Sequence, residues 1–425
     1  MHRLSRNPRQ RLSEGALSDP DFRRFWASQA GFQLGGQVTL LAIPLLAAIV
    51  LEATPFQMGV LRAAESMPIL FLGFVAGAFV DRVRRRTVLV GAAIGQAALL
   101  LLIPVAALFD AVSIGLLLGI ALGIGILAVF SDIAYQSYVP TLVGRHHLVD
   151  ANSKITVTAS GASIVGPGLA GTLVNLVGAP VAILVDIVLR VTGIGLLLSI
   201  RRQEHVRPPE ERGHLLKDIA DGLRLVGSNP VLRAIAGSTA IGNLFGNVIT
   251  AVLVLYLARD MDLGAGVIGL IFAAANVGFL LAAAGARRIA DRLGVGATLI
   301  GGAVAAAVGA FLLPAALGPL WLALPLLVLG QAINAGGRTV FTITQLSLRQ
   351  SITPDDMQGR VAATMRVAVV GTIPLGALLG GVLGEAIGLW PAIAIGAIGH
   401  LLPLVWLWSS PVRTYRLPDE AVECA

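Results

Sequence analysis

The chain has 425 residues, of which 56% are hydrophobic and only 13% charged, with a net charge of +7. An ordinary soluble domain carries about 25% charged residues, and so few charges cannot cover so much apolar surface in water. The composition excludes a soluble enzyme, a disordered regulator and a disulfide-rich secreted domain, and the single cysteine, Cys424, leaves no internal disulfide.

Fifty glycines and 5% aromatics suit helices that pack closely in lipid. A β-barrel calls for alternating strands and aromatic girdles, and neither is visible. A helix crosses the hydrocarbon core with about 20 mostly apolar residues. Twelve stretches meet that length: 25–50, 58–80, 87–109, 112–137, 155–177, 179–200, 232–258, 265–286, 295–315, 319–347, 360–385 and 389–410. The first follows a basic segment but is too long for a signal-peptide core, so it reads as a retained anchor. Arg23-Arg24 is not a twin-arginine signal, because a full span follows it.

Basic residues test this count. With a cytoplasmic amino terminus, the two tails, every second loop and the span edges beside them (Arg233 and Arg360) hold 26 of them, while the six outside loops hold one, Arg259. The remaining four, Arg62, Arg190, Arg338 and Arg366, lie deeper within spans. Such a split is a strong positive-inside signal and places both termini in the cytoplasm. It also accounts for the positive charge without nucleic acid as a partner.

Shifting the sequence by 210 positions aligns its halves. Arg23 meets Arg233, Ser28 meets Ser238, Gly36 meets Gly246 and Gly59 meets Gly269, while Asp81-Arg82 falls on Asp291-Arg292 and Gly166 on Gly376. An even number of helices per unit gives both units the same orientation, so the repeat is parallel. The expected fold is an all-α integral membrane protein, with twelve transmembrane helices in two six-helix bundles. Residues 1–24 form an amino-terminal tail, 25–200 the first bundle, 201–231 a linker, 232–410 the second bundle and 411–425 a carboxy-terminal tail. Within the linker, Leu215, Leu216, Ile219, Leu223 and Val226 form an apolar stripe at helical spacing, which predicts an amphipathic helix on the cytoplasmic surface.

The loop after the second span reads Gly77-Ala-Phe-Val-Asp81-Arg82-Val-Arg84-Arg85-Arg86, and a worn copy in the second half carries Asp291-Arg292-Leu-Gly294. The fifth span holds Gly166-Pro167-Gly-Leu-Ala170-Gly171. Together with the two six-helix units, these segments resemble the major facilitator superfamily. The loop is similar to its signature G-x-L-x-D-R-x-G-R-R/K, with Arg84 in place of the second glycine. The fifth span is similar to its antiporter motif G-x-x-x-G-P-x-x-G-G, with alanine at two glycine positions. The arginine that many proton-coupled drug exporters carry on helix four is not evident. The whole-chain pattern, including the opening FRRFWASQ, resembles the bacterial macrolide-efflux and enterobactin-exporter branch.

The resemblance implies a secondary active exporter in the bacterial inner membrane. It would move a small amphipathic compound (a drug, macrolide or siderophore) by alternating access, driven by the proton gradient. A metabolite uptake permease and a transport-inactive sensor on the same scaffold are the alternatives. The chain is expected to act as a monomer. No ATP-binding loop and no metal-ligand cluster appears, so neither a cofactor nor a metal is expected, and no catalytic constellation marks an enzyme.

Candidate residues follow. Gly77, Asp81, Arg82, Arg85, Arg86, Asp132, Asp291 and Arg292 form a cytoplasmic gate or, in the plainer reading, solvated topology charges. Gly77 is expected to allow close helix approach, and Asp132 is placed to reach Arg85 or Arg86. In the fifth span, Gly166, Pro167, Ala170 and Gly171 either bend the helix or let a neighbour close in.

Gln29, Gln33 and Gln37 recur every four residues on helix one, and Asn243 and Asn247 on helix seven. Amides in lipid need partners, so these faces point to a wet cavity or bond between helices. The resemblance puts helices one and seven on the cavity. Arg62 and Glu65 are spaced for a self-neutralising pair, as are Asp186 and Arg190. The resemblance makes the second pair structural and Glu65 the proton-coupling candidate. Arg338 and Arg366 lack a local partner in sequence and either attract an anionic substrate or line the inner gate. His400 is expected simply to pack.

Overall fold

The structure, a computed structural model, describes residues 16–80, 82–143, 147–202, 204, 223–354 and 357–414. All regular structure among them is helical. In chain order the long helices are α1 (Pro20–Leu45), α2 (Pro55–Ser66 and Pro68–Val80), α3 (Arg85–Leu108), α4 (Ile114–Val143), α5 (Leu148–Val177) and α6 (Ala179–Leu198). Then come α7 (Pro230–Leu255), α8 (Ala265–Leu293), α9 (Val295–Leu312), α10 (Leu320–Ile352), α11 (Gln358–Ile387) and α12 (Leu389–Gly399 and Leu402–Trp408). Among the described residues, eleven helical stretches are long and apolar enough to cross a membrane. The twelfth helix, α2, misses that length because it is divided at Pro68, which has no N–H to continue the ladder.

Local chemistry sets the helix starts. Asp19 Oδ1 accepts hydrogen bonds from the Asp21 and Phe22 amides at 2.8 and 3.3 Å, just ahead of Pro20. Asn229, 210 positions later, does the same for Val231 and Leu232 at 2.9 and 3.1 Å, ahead of Pro230. Proline suits the first turn because its missing N–H would have no helical partner there. These caps begin α1 five residues before the apolar stretch at 25. Thr54 and Gln57 form a reciprocal capping box at the start of α2.

The repeat reaches the backbone. α1, α2, α3, α5 and α6 begin 210 positions before α7, α8, α9, α11 and α12; α4 and α10 differ by 206. Both α1 and α7 end in a five-residue wide turn, Leu46–Val50 and Tyr256–Asp260. Glu52 and Asp262, again 210 apart, share a positive φ of 49° and 51°.

The chain forms two compact units, Met1–Ile43 with Phe71–Glu210, and Pro44–Leu70 with Glu211–Ala425. Residues 44–70 therefore group with the carboxy-terminal half. The first unit has a buried core around Phe22, Phe25, Tyr138, Leu142 and Leu197. The second has one around Leu232, Ile235, Leu299, Leu348 and Leu407. Large apolar side chains such as Phe71, Leu176, Leu281 and Trp321 stay exposed. Lipid, not water, is the solvent such surfaces fit. The predicted amphipathic stripe through 215–219, Asp81, Arg145, Asp355, Asp356 and most of both tails lie outside the described residues.

Candidate functional site

In the second unit, two cavities of about 410 Å³ each meet at Arg338. Arg338 lies near the middle of α10, and its Nη2 donates to Asn243 Oδ1 on α7 at 2.9 Å. Asn247, one turn on, is buried and donates its Nδ2 to the Asn243 carbonyl at 2.8 Å. The sequence offers no local partner for Arg338; the partner comes from another helix. Arg349 and Arg366 line the first cavity beside Arg338. His400 lines both cavities, buried, with Nδ1 2.9 Å from the Gly396 carbonyl. The reading of His400 as a packing residue leaves out this position beside Arg338.

In the first unit, Gln29 and Gln37 are half-buried and Gln33 is exposed. Helix α5 runs unbroken through Gly166 and Pro167, both buried with Ala170 and Gly171. A methyl group at Gly166 would collide with the Gln37 side chain, so the glycine lets α5 approach α1 closely. At Gly77 a methyl group would meet no described atom within 4 Å, so the close helix approach expected there is not made among the described residues.

The ends of α3 and α6 meet through charge. The Glu204 carboxylate accepts the Arg85 and Arg86 amides at 2.6 and 2.9 Å, capping the start of α3. Arg86 Nη1 donates to the Ile200 carbonyl at 2.6 Å, and its Nη2 to the Leu198 carbonyl. Arg86 thus closes the end of α6. Asp21 accepts from the Arg202 amide at 3.0 Å and pairs with Arg24 at 2.9 Å. Sequence reading misses Asp19, Asp21, Arg202 and Glu204 here; the Asp-Pro cap before α1 is the available signal. Asp132 is exposed on α4, and Arg82 is exposed after α2. In the worn copy Arg287 and Asp291 are 3.8 Å apart and largely exposed, and Arg292 is exposed too.

Two intrahelical ion pairs form at the spacing read from sequence. Arg62 and Glu65 meet at 2.6 Å, each about one-third exposed (33% and 39%). Asp186 is fully buried and lies 2.8 Å from Arg190 Nε. Thr39 donates to Asp186 at 2.6 Å, and Arg190 donates to Gln96 at 2.5 Å. This network ties α6 to α1 and α3, and Gly35 makes room for the carboxylate.

A family profile described as transmembrane secretion effector matches residues 14–422. The chain belongs to that family. This makes it a transporter of the major facilitator type, not an enzyme. Over 394 residues it is 28% identical to the enterobactin exporter EntS of Citrobacter koseri, covering 89% of each. It is 26% identical over 404 residues to the MFS-type transporter YfiS of Bacillus subtilis, covering 90% of each. Its fold is similar to that of the nucleoside transporter NupG, with a TM-score of 0.75 at 13% identity, covering 92% of this chain and 99% of that one. A bacterial homologue of the iron transporter ferroportin, in an inward-facing state, gives 0.68 at 16% identity, covering 91% and 98%. The resemblance to the enterobactin-exporter branch is borne out.

Proposed function

We propose that the protein is a secondary active exporter of small amphipathic compounds, working by alternating access and driven by the proton gradient. The observation that carries this reading is the mixed polar and apolar cavity pair around Arg338, in a chain of the secretion effector family. Gln29, Gln33 and Gln37 in the first unit, and Asn243, Asn247, Arg338 and Arg366 in the second, are the substrate-facing groups of their own units. The basic-residue split supports an inner-membrane location with both termini in the cytoplasm. Glu65, paired with Arg62 on α2, is the proton carrier. The Arg86–Glu204 cluster, with Asp81 and Asp132, is the cytoplasmic gate, and the chain works as a monomer.

A deletion strain and its complemented parent, compared for retained metabolites and drug resistance, test export. Accumulation of an amphipathic compound in the deletion strain is expected. Vesicle flux with and without an imposed proton gradient then tests coupling. Loss of uptake from the medium in the deletion strain, with no retained compound, would overturn the direction.

A further inference from the structure

The two halves of the repeat treat an arginine within a span differently. In the first unit Arg190 carries its own counter-charge, Asp186, one turn back on α6. The repeat counterparts of positions 186 and 190 are Gly396 and His400, at the matching place in α12. The second unit therefore has no carboxylate there. Its arginine, Arg338, arrives from α10 instead. A methyl group at Gly246 would stand 2.9 Å from Arg338 Nη1, so this glycine opens the slot that the guanidinium fills.

Among the described residues, the hydrogen-bond partner of Arg338 is the neutral amide of Asn243. Among the described residues, no aspartate or glutamate lines either cavity. His400 bonds the Gly396 carbonyl through Nδ1 and supplies no negative charge, whether neutral or protonated. An intramembrane cation without a counter-ion is costly, and such residues mark substrate paths. The missing charge has to come from what binds.

We propose that Arg338 anchors the anionic group of the substrate, so that the second unit selects amphipathic organic anions. This rests on the export reading above. A carboxylate, sulfonate or phosphate oxygen pairs with Arg338. The apolar body lies along Phe341, Met365 and Val369 in the first cavity. Arg349 and Arg366 extend the positive lining of that cavity. A volume of about 410 Å³ suits a drug-sized molecule.

The test uses the purified full chain in detergent and a panel of aryl and alkyl carboxylates, each beside its isosteric primary amide. Ligand-induced shifts in thermal unfolding report binding. Wild type is expected to favour carboxylates over their amides by about tenfold or more, a factor set by one charge-assisted contact. Arg338→Gln should bring that ratio to about one while leaving amide binding in place, and Arg338→Lys should keep part of the preference. Equal binding of both series by wild type, or an unchanged ratio in Arg338→Gln, overturns the proposal. The wild-type ratio tests anion selection even if one variant fails to fold, and the two Arg338 variants assign it to Arg338 rather than to Arg349 or Arg366. Flux of the bound carboxylates in proteoliposomes is scored separately. Selective binding without flux removes the export reading and leaves the anion site standing.

Discussion

Gly166 on α5 faces Gln37 on α1, and a methyl group at the glycine would overlap that side chain. The relationship recurs 210 positions later, where Gly376 on α11 faces Asn247 on α7, 2.9 Å from a methyl's place to the Asn247 β-carbon. The same pair of helices is thus brought together in each unit by a glycine against an amide-bearing residue. Gly166→Ala and Gly376→Ala should each destabilise the protein by about 1–3 kcal/mol through overpacking. Gly77→Ala, with no described atom close to the added methyl, should leave thermal unfolding unchanged. A uniform response of all three would show that these contacts do not set stability.

The buried Asp186–Arg190 pair invites a sharper test. Asp186→Leu leaves Arg190 without its counter-charge, which costs about 3–5 kcal/mol when one partner of a buried pair is removed. Abundance and melting temperature should both fall. The double variant Asp186→Leu/Arg190→Leu should recover much of the loss. If the double variant is no better than the single, the pair is not a self-contained structural unit.

At the ends of α3 and α6, Arg86→Ala and Glu204→Ala should lower transport more than abundance. Each strips a cap, worth about 1 kcal/mol at an ordinary helix end. Asp81→Asn is expected to act in the same direction. Asp291→Asn and Arg292→Ala, in the exposed worn copy, should be close to silent. Equal and mild effects at both loops would leave only solvated topology charges.

Glu65→Gln keeps the shape of the carboxyl group and removes its charge. Gradient-driven accumulation should vanish while substrate binding and gradient-independent exchange survive. A variant that still accumulates substrate at wild-type levels would move the search for the carrier to Asp132.

Topology is open to labelling. In a Cys424→Ser background, Asp262→Cys should react with an impermeant thiol reagent on intact cells, and Pro208→Cys should not. The reverse pattern would invert the orientation read from the arginines.

Much of the fold is legible in the sequence because lipid demands long apolar stretches and the repeat leaves matching marks. Helix starts are less so, since Asp19 and Asn229 act through their caps ahead of the apolar runs. The ion pairs Arg62–Glu65 and Asp186–Arg190 are readable because helical spacing alone brings them together. The contacts of Arg338 with Asn243 and of Arg86 with Ile200 are not, because their partners lie 95 and 114 positions away. Pattern along a chain records periodicity well and distant encounters poorly.

The wide turns at Leu46–Val50 and Tyr256–Asp260, with Glu52 and Asp262 beyond them, keep identical spacing in both halves. The spacing at these turns has been held while side chains drifted apart, as Asp186 and Gly396 show. A duplicated chain that froze these two turns and varied its linings can acquire new cargo by substitution alone. Grafting lining residues between members of the family, with the turns untouched, is therefore the natural route to altered selectivity.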